Sequence, residues 1–274
     1  AVFTVVSSIA LQGVRITNPS IGESIVVIGL GLIGLITIQI LKANGCRVLG
    51  MDTDQEKINL AKKLGIEAIK LDKNVNAIKK GVDFSFGYGV DGVIITASTK
   101  SNEPLHNAAQ MSRKNGRITL VGVIGTEINR NDFYEKELTF RVSCSYGPGR
   151  YDTNYEEDGI DYPIGYVRWT ENRNFEAVLE MMKNKSLNVK DLIHKKYNLL
   201  DAKNAYSDLV QDKSSLGLIL MYAKEIDISK KIKISNKTYI SNNSPVVGII
   251  GSGNYAGRVL IPALKRTDVT LKTI

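Results

Sequence analysis

Gly29, Gly31 and Gly34 stand in G-x-G-x-x-G spacing within GLGLIG, directly after the apolar run IVVI (25–28) and directly before an apolar stretch of helical character. Each glycine has a separate task in such a turn. Gly29 allows the tight reversal, Gly31 lets backbone approach a pyrophosphate, and Gly34 lets the helix pack closely on the strand. The amides of the turn and the positive end of the following helix then form an anion site. Asp52 lies 18 residues past Gly34, at the end of the next strand-like run. A carboxylate there accepts hydrogen bonds from both hydroxyls of a ribose and repels a 2′-phosphate, which points to NAD in preference to NADP. Lys57, one helical turn further on, is either within reach of that ribose or an ordinary exposed helix lysine. The plain alternative for the whole pattern is a glycine turn in an unliganded domain.

A second turn of the same kind occurs in GSGNYA, with Gly251, Gly253 and Ala256 in the three slots. Its acidic partner would fall at or beyond Ile274, so cofactor binding by this piece is not expected. Catalytic and metal constellations are missing from the sequence pattern. His106 and His194 are remote from Cys46 and Cys144, without the short spacings of zinc ligands. His106 falls on a predicted helix, where packing or exposure explains it. No G-x-S-x-G, H-E-x-x-H or Walker loop is present. Arg150, Tyr155, Arg168 and Trp169 fall in a Gly- and Tyr-rich stretch, 147–170. They could grip a sugar or phosphate by stacking and bidentate contacts, or pack among themselves.

The elements around these residues alternate. Strands are read at 46–52, 67–71, 91–97, 117–122 and 138–146, and helices at 54–65 and 103–114, the latter closed by Gly116. With the strand–turn–helix at 25–45, this predicts an α/β, doubly wound, parallel six-stranded sheet of the Rossmann type. The expected organisation is a dinucleotide-binding domain over 1–147, with a leading helix. A returning segment (148–223) follows, with helices at 171–184 and 200–210 and a strand at 216–222. Next come an exposed connector (224–244) and the start of a second dinucleotide-binding domain (245–274), whose second strand begins at the chain's end. The record reads as a piece of a longer polypeptide.

With 274 residues, 43% of them hydrophobic and 23% charged, the chain is globular and is neither disordered nor a disulfide scaffold. Its net charge of +8 comes from scattered lysines, so no nucleic-acid partner is expected. Residues 25–41 carry no charge, yet their glycine turn divides them into strand and helix, and no membrane association is expected. Two cysteines and no secretory signal at the start suit a reducing, cytoplasmic setting.

Several stretches carry a family resemblance. ALQGVR, GESIVVIGLGLIG, RVLGMDTDQEK, NGRITLVGVIG and DLIHKKYNLLDAKNAYSDL together resemble the later two-thirds of a medium-chain, zinc-type alcohol dehydrogenase, from Ala1 to about Tyr222. VGIIGSGNYAGRVLIPALK resembles the opening of the glucose-fructose oxidoreductase and inositol dehydrogenase family. The order of the two resembles two-module oxidoreductases of bacterial polysaccharide synthesis. The resemblance implies that Gly29, Leu30, Gly31, Leu32, Ile33, Gly34 and Asp52 contact NAD, and that Val121, Gly122 and Val123 pass beside the nicotinamide. It also implies a catalytic portion encoded upstream, with zinc belonging to the full-length parent. The remaining family ligand is expected near 1–4, where AVFT offers no cysteine, histidine or carboxylate; either the module has lost the zinc or that ligand falls just outside this sequence. His194 matches a structural position.

The resulting expectation is the nucleotide-binding part of an NAD-dependent oxidoreductase, with no catalytic or metal-ligating residue of its own. The parent would move hydride between nicotinamide and an alcohol or carbonyl of a sugar or nucleotide-sugar. The partner is then a small sugar-like molecule, and nothing opposes a homo-oligomer. The alternative is a non-catalytic nucleotide-binding or sensing module.

Overall fold

The computed structural model describes residues 1–212, 215–222 and 245–273. The chain divides into two compact units, 1–223 and 224–274; the expected connector, 224–244, lies outside the described residues. The first unit opens with α1 (Thr4–Thr17). It then alternates through β1 (Ser24–Ile28), α2 (Leu32–Ala43), β2 (Arg47–Asp52), α3 (Gln55–Lys63), β3 (Glu67–Lys70), α4 (Ala77–Phe84), β4 (Val90–Ile95), α5 (Glu103–Met111), β5 (Ser112–Leu120), α6 (Arg130–Tyr134) and β6 (Thr139–Val142). The six strands form one sheet in the order β3-β2-β1-β4-β5-β6, every neighbouring pair parallel. This is the doubly wound α/β sheet, with its order reversing between β1 and β4.

The sheet is covered on both faces because its strands are apolar on both. All five residues of β1 are buried, and successive side chains must point to opposite sides. Ile25 and Val27 join a core completed by α1, α2, α3 and α8 (Glu171–Lys183), whereas Val26 and Ile28 join one completed by α4 and α5. Eight of the twelve residues of α2 are buried, as suits a helix enclosed between sheet and α1. Its last turn closes at Gly45, where φ is +83° and the amide donates to the Lys42 carbonyl, as the glycine at that place predicts. Asp54 caps α3 by accepting from the Glu56 amide at 2.9 Å, a local cost saved that helps bring the chain straight out of β2.

Beyond β6 come α7 (Thr153–Glu156), α8, β7 (Ile193–Asn198), α9 (Ala202–Gln211) and β8 (Gly217–Met221), with β7 and β8 paired in parallel. The second unit contains β9 (Val246–Gly248), a helical stretch from 256 that ends as α10 (Ile261–Leu264), and β10 (Thr270–Thr273), which pairs in parallel with β9.

Several boundaries differ from those read in the sequence. The helix expected to run to residue 114 stops at Met111, and Gly116 sits inside β5 instead of closing a helix. The Ser112 hydroxyl donates to the Ala108 carbonyl at 2.7 Å while its own backbone turns extended, satisfying the helix end and starting the strand at once. β6 is four residues long, ending before Ser143. The stretch 147–170 holds the one-turn helix α7, and α4, α6 and β7 occupy segments where no element was read. Among the described residues, no helix is long and apolar enough to cross a membrane.

Leu35 is fully buried between sheet and α1. Leu35→Ala is expected to lower unfolding stability by about 2–5 kcal/mol through lost burial and a cavity, measured as a shift in urea midpoint at unchanged slope.

Candidate functional site

The carboxyl ends of β1, β2 and β4 border a cleft of about 1060 Å³. It lies where the strand order reverses, the place at which open α/β sheets bind their ligands. Gly29, Gly31, Asp52 and Lys57 line it, and so do residues from 71–78 and from 96–104.

Backbone packs on backbone at the floor of the cleft. Gly29 has φ +96°, and a Cβ there would lie 2.6 Å from the Ala97 nitrogen; a Cβ on Gly34 would lie 2.0 Å from the Gly29 carbonyl oxygen. Both positions exclude a side chain, one by conformation and contact, the other by contact alone. Gly31 differs, since a Cβ added there meets nothing within 4 Å. Its missing side chain leaves open space on the cleft wall, directly before α2. Gly31 is the cap of α2 and supplies no side-chain acceptor, so the first-turn amides are left without a side-chain partner at the cap.

Asp52 ends β2 with its carboxylate held from two sides. Oδ2 accepts from the Leu30 amide at 2.6 Å, and Oδ1 accepts from the Asp54 amide at 2.9 Å. Each oxygen keeps a further lone pair for an incoming hydroxyl. Lys57 lines the cleft but its ammonium rests 3.6 Å from Asp54, so it is tied to its own helix turn. The Leu30 side chain is fully buried, packed over Gly50, and only its backbone serves the turn. Leu32 and Ile33 are half-buried at the start of α2, and Gly34 is buried beneath the loop.

Val121, Gly122 and Val123 follow β5 and do not line the cleft. They adjoin its wall: the Val123 amide donates to the Ala97 carbonyl at 3.0 Å, and the Thr99 amide donates to the Val123 carbonyl at 2.9 Å. Val123 itself is exposed. The wall formed by 96–104 escaped the sequence reading, although a rule was at hand. Once 91–97 is a strand beside the glycine-loop strand, its carboxyl end is half of the switch point.

The other chemistry-bearing residues are engaged elsewhere. Arg150 forms a bidentate pair with Glu156 at 2.6 and 2.8 Å. Tyr155 stacks on Tyr162 and donates to the Thr170 hydroxyl at 3.0 Å. Trp169 holds the guanidinium carbons of Arg15 and Arg168 at 3.3 and 3.8 Å from its ring. Burial, and then the like charge of Arg168, lower the Arg15 pKa to about 10. Within 147–170, then, packing is the observed use of these side chains. His106 pairs with Asp132 at 2.7 Å and His194 with Asp212 at 3.5 Å, and neither lines the cleft. Among the described residues, no three His, Cys, Asp or Glu side chains are grouped to hold a metal ion.

Comparisons with known proteins agree with this architecture. Residues 33–157 match the zinc-binding dehydrogenase family. A D-guloside 3-dehydrogenase of Escherichia coli K12 is 27% identical over 208 residues, covering 73% of this chain and 55% of that protein. The chain therefore spans about half the length of the curated relatives it matches. A 2R,3R-butanediol dehydrogenase from Bacillus subtilis is similar at TM-score 0.64 and 25% identity, over 79% of this chain and 56% of that one. An alcohol dehydrogenase from Thermus sp. ATN1 is similar in fold at TM-score 0.66 and 22% identity, over 81% and 57%. A protein described as a short chain alcohol dehydrogenase from E. coli CFT073, solved with NADH, shares the fold at TM-score 0.61 and 20% identity, over 79% and 57%. Over residues 33–157, then, the chain is similar to zinc-binding dehydrogenases, and its parallel six-stranded sheet is the α/β fold of these neighbours.

The two glycines at the cleft should separate cleanly in stability. Gly29→Ala is expected to cost at least about 1–3 kcal/mol, from strain at positive φ and overlap with Ala97. Gly31→Ala should stay within about 1 kcal/mol of the parent, as an alanine cap with free space around it. Thermal melts of the two variants test the contrast.

Proposed function

We propose that the chain is the nucleotide-binding portion of an NAD-dependent oxidoreductase. The observation that carries this reading is Asp52, anchored by the Leu30 amide at the edge of the cleft, with the open space of Gly31 beside it. In this reading the amides of Gly31, Leu32, Ile33 and Gly34 cradle the pyrophosphate against the positive end of α2, while the Gly29 and Leu30 amides, given to the Met51 carbonyl and to Asp52, shape the turn beneath it. Asp52 takes both hydroxyls of the adenosine ribose and repels a 2′-phosphate, and Lys57 flanks the same sugar. Val121, Gly122 and Val123 border the nicotinamide.

When bound, the nicotinamide supplies or accepts a hydride. The residues of this chain hold it in place, and no side chain among the described ones is assigned to proton transfer. Among the described residues no donor set fits zinc.

The substrate is proposed to be an alcohol or carbonyl of a sugar-like molecule in a reducing, cytoplasmic setting. The similarity to D-guloside 3-dehydrogenase supports the sugar. Residues 1–147 form the dinucleotide-binding domain in this reading. The segment 148–223 belongs to a catalytic portion: its parallel pair β7–β8 buries only Tyr197 and Gly217, the connecting helix α9 exposes Tyr206 and Val210, and parallel sheets are ordinarily covered on both faces. The second unit is read as the start of another dinucleotide-binding domain. Two parallel strands joined through a helix support this, with Gly251 at φ +88° and free space at Gly253.

Titration of the chain with NADH and NADPH by fluorescence tests the cofactor assignment. NADH should bind more tightly, and Asp52→Ala should bring the two affinities together by about tenfold or more. Equal binding of both by the unmutated chain would refute the role of Asp52.

A further inference from the structure

Thr96 is the first residue beyond β4 and stands half-buried on the wall of the cleft. Its amide donates to the Ile28 carbonyl at 2.9 Å, continuing the β1–β4 ladder by one bond. Its hydroxyl donates to the Gly29 carbonyl at 2.5 Å, with the Ile28 carbonyl the more distant acceptor at 3.3 Å. The same peptide group presents its N–H, on Leu30, to Asp52 Oδ2 at 2.6 Å.

A trans peptide is planar, with C=O and N–H pointing in opposite directions. The Gly29–Leu30 peptide is thus held at both ends, by Thr96 from the β4 side and by Asp52 from the β2 side. Gly29, at φ +96°, has no side chain to restrain rotation of that plane. Turned over, the plane would set the Gly29 carbonyl against the Asp52 carboxylate and leave the Thr96 hydroxyl facing an N–H. The carboxylate can only accept and so excludes the turned-over plane, while the Thr96 hydroxyl, donating to the carbonyl, reinforces the orientation in which Asp52 receives a donor and polarises that donor through the amide.

We infer that Thr96 is a positioning residue, which fixes the aim of the Asp52 carboxylate through the Gly29–Leu30 peptide and so sharpens selection between a free and a 2′-phosphorylated ribose. The inference rests on the NAD reading above. It adds a residue from the far side of the switch point, one that has no need to touch the ribose itself.

Thr96→Val removes the donor while keeping the shape, and Thr96→Ser keeps the donor. Two measurements on the 274-residue chain are paired. One is the affinity ratio for NADH over NADPH; the other is hydrogen exchange of the Leu30 amide in the unliganded chain, which needs no cofactor. Thr96→Val should lower NADH affinity about fivefold with a smaller change for NADPH, and should speed Leu30 exchange about fivefold. Thr96→Ser should stay near the parent in both. A uniform loss of both affinities with a lowered melting temperature would reduce Thr96 to a structural role and overturn the inference. So would an unchanged ratio with unchanged Leu30 exchange, or a Thr96→Ser variant that behaves like Thr96→Val. If the unmutated chain binds neither nucleotide, the cofactor reading fails and the ribose role of Thr96 fails with it. Leu30 exchange then still decides whether the peptide is clamped.

Discussion

Three backbone segments meet with only the Thr96 hydroxyl between them: the turn after β1, the first turn of α2 and the exit of β4. Gly29 lies against Ala97, and Gly34 lies against the Gly29 carbonyl. This contact sets the depth of the cleft, since a Cβ at Gly34 would push α2 off the turn and one at Gly29 would push the turn off the exit of β4. It also explains why α2 can be so apolar. A helix brought this close has sheet on one side and α1 on the other, and solvent reaches only its ends. The direction of α2, and with it the place toward which its first-turn amides point, follows from this backbone contact.

Legibility in the sequence tracked how local the cause was. β1, the glycine turn and α2 could be read closely because strand, turn and helix each carry their own signal within twenty residues. The helix α4 was missed for a physical reason. Its interior holds Gly81, a poor helix former, and a Cβ at that site would fall 2.7 Å from the Met111 sulfur. Helix propensity was given up there so that α4 and α5 could approach. The boundary between α5 and β5 was misplaced because Arg113 and Lys114 suit a helix C-terminus as well as they suit an exposed strand. The Ser112 hydroxyl and the pairing of Ser112 with Val90 decide between them.

The site divides in the same way. Gly29, Gly31, Gly34 and Asp52 have a spacing that speaks for itself, and the structure shows how they are disposed around one cleft. The wall built from 96–104 could not be read from spacing, because its meaning depends on β4 lying next to β1 across more than sixty residues. The arginine and aromatic side chains of 147–170 posed the opposite problem. Their composition suits a binding loop, yet they are spent on one another, on Thr170 at the start of α8, and on Arg15 of α1. Composition alone does not separate stacking that awaits a ligand from stacking already satisfied.

The strand order also governs when the cleft can come into being. β1, β2 and β3 neighbour one another in sequence and can associate as soon as residue 70 has been made, but β4 must dock on the opposite flank of β1. Parallel partners of this kind close long chain loops and assemble slowly. During synthesis from the N-terminus, an early half-sheet would therefore carry a glycine turn with no floor beneath it and one apolar strand edge still bare. The stretch between the emergence of β3 and the docking of β4 is thus the interval of greatest exposure to mispairing, and the time at which a chaperone would matter most.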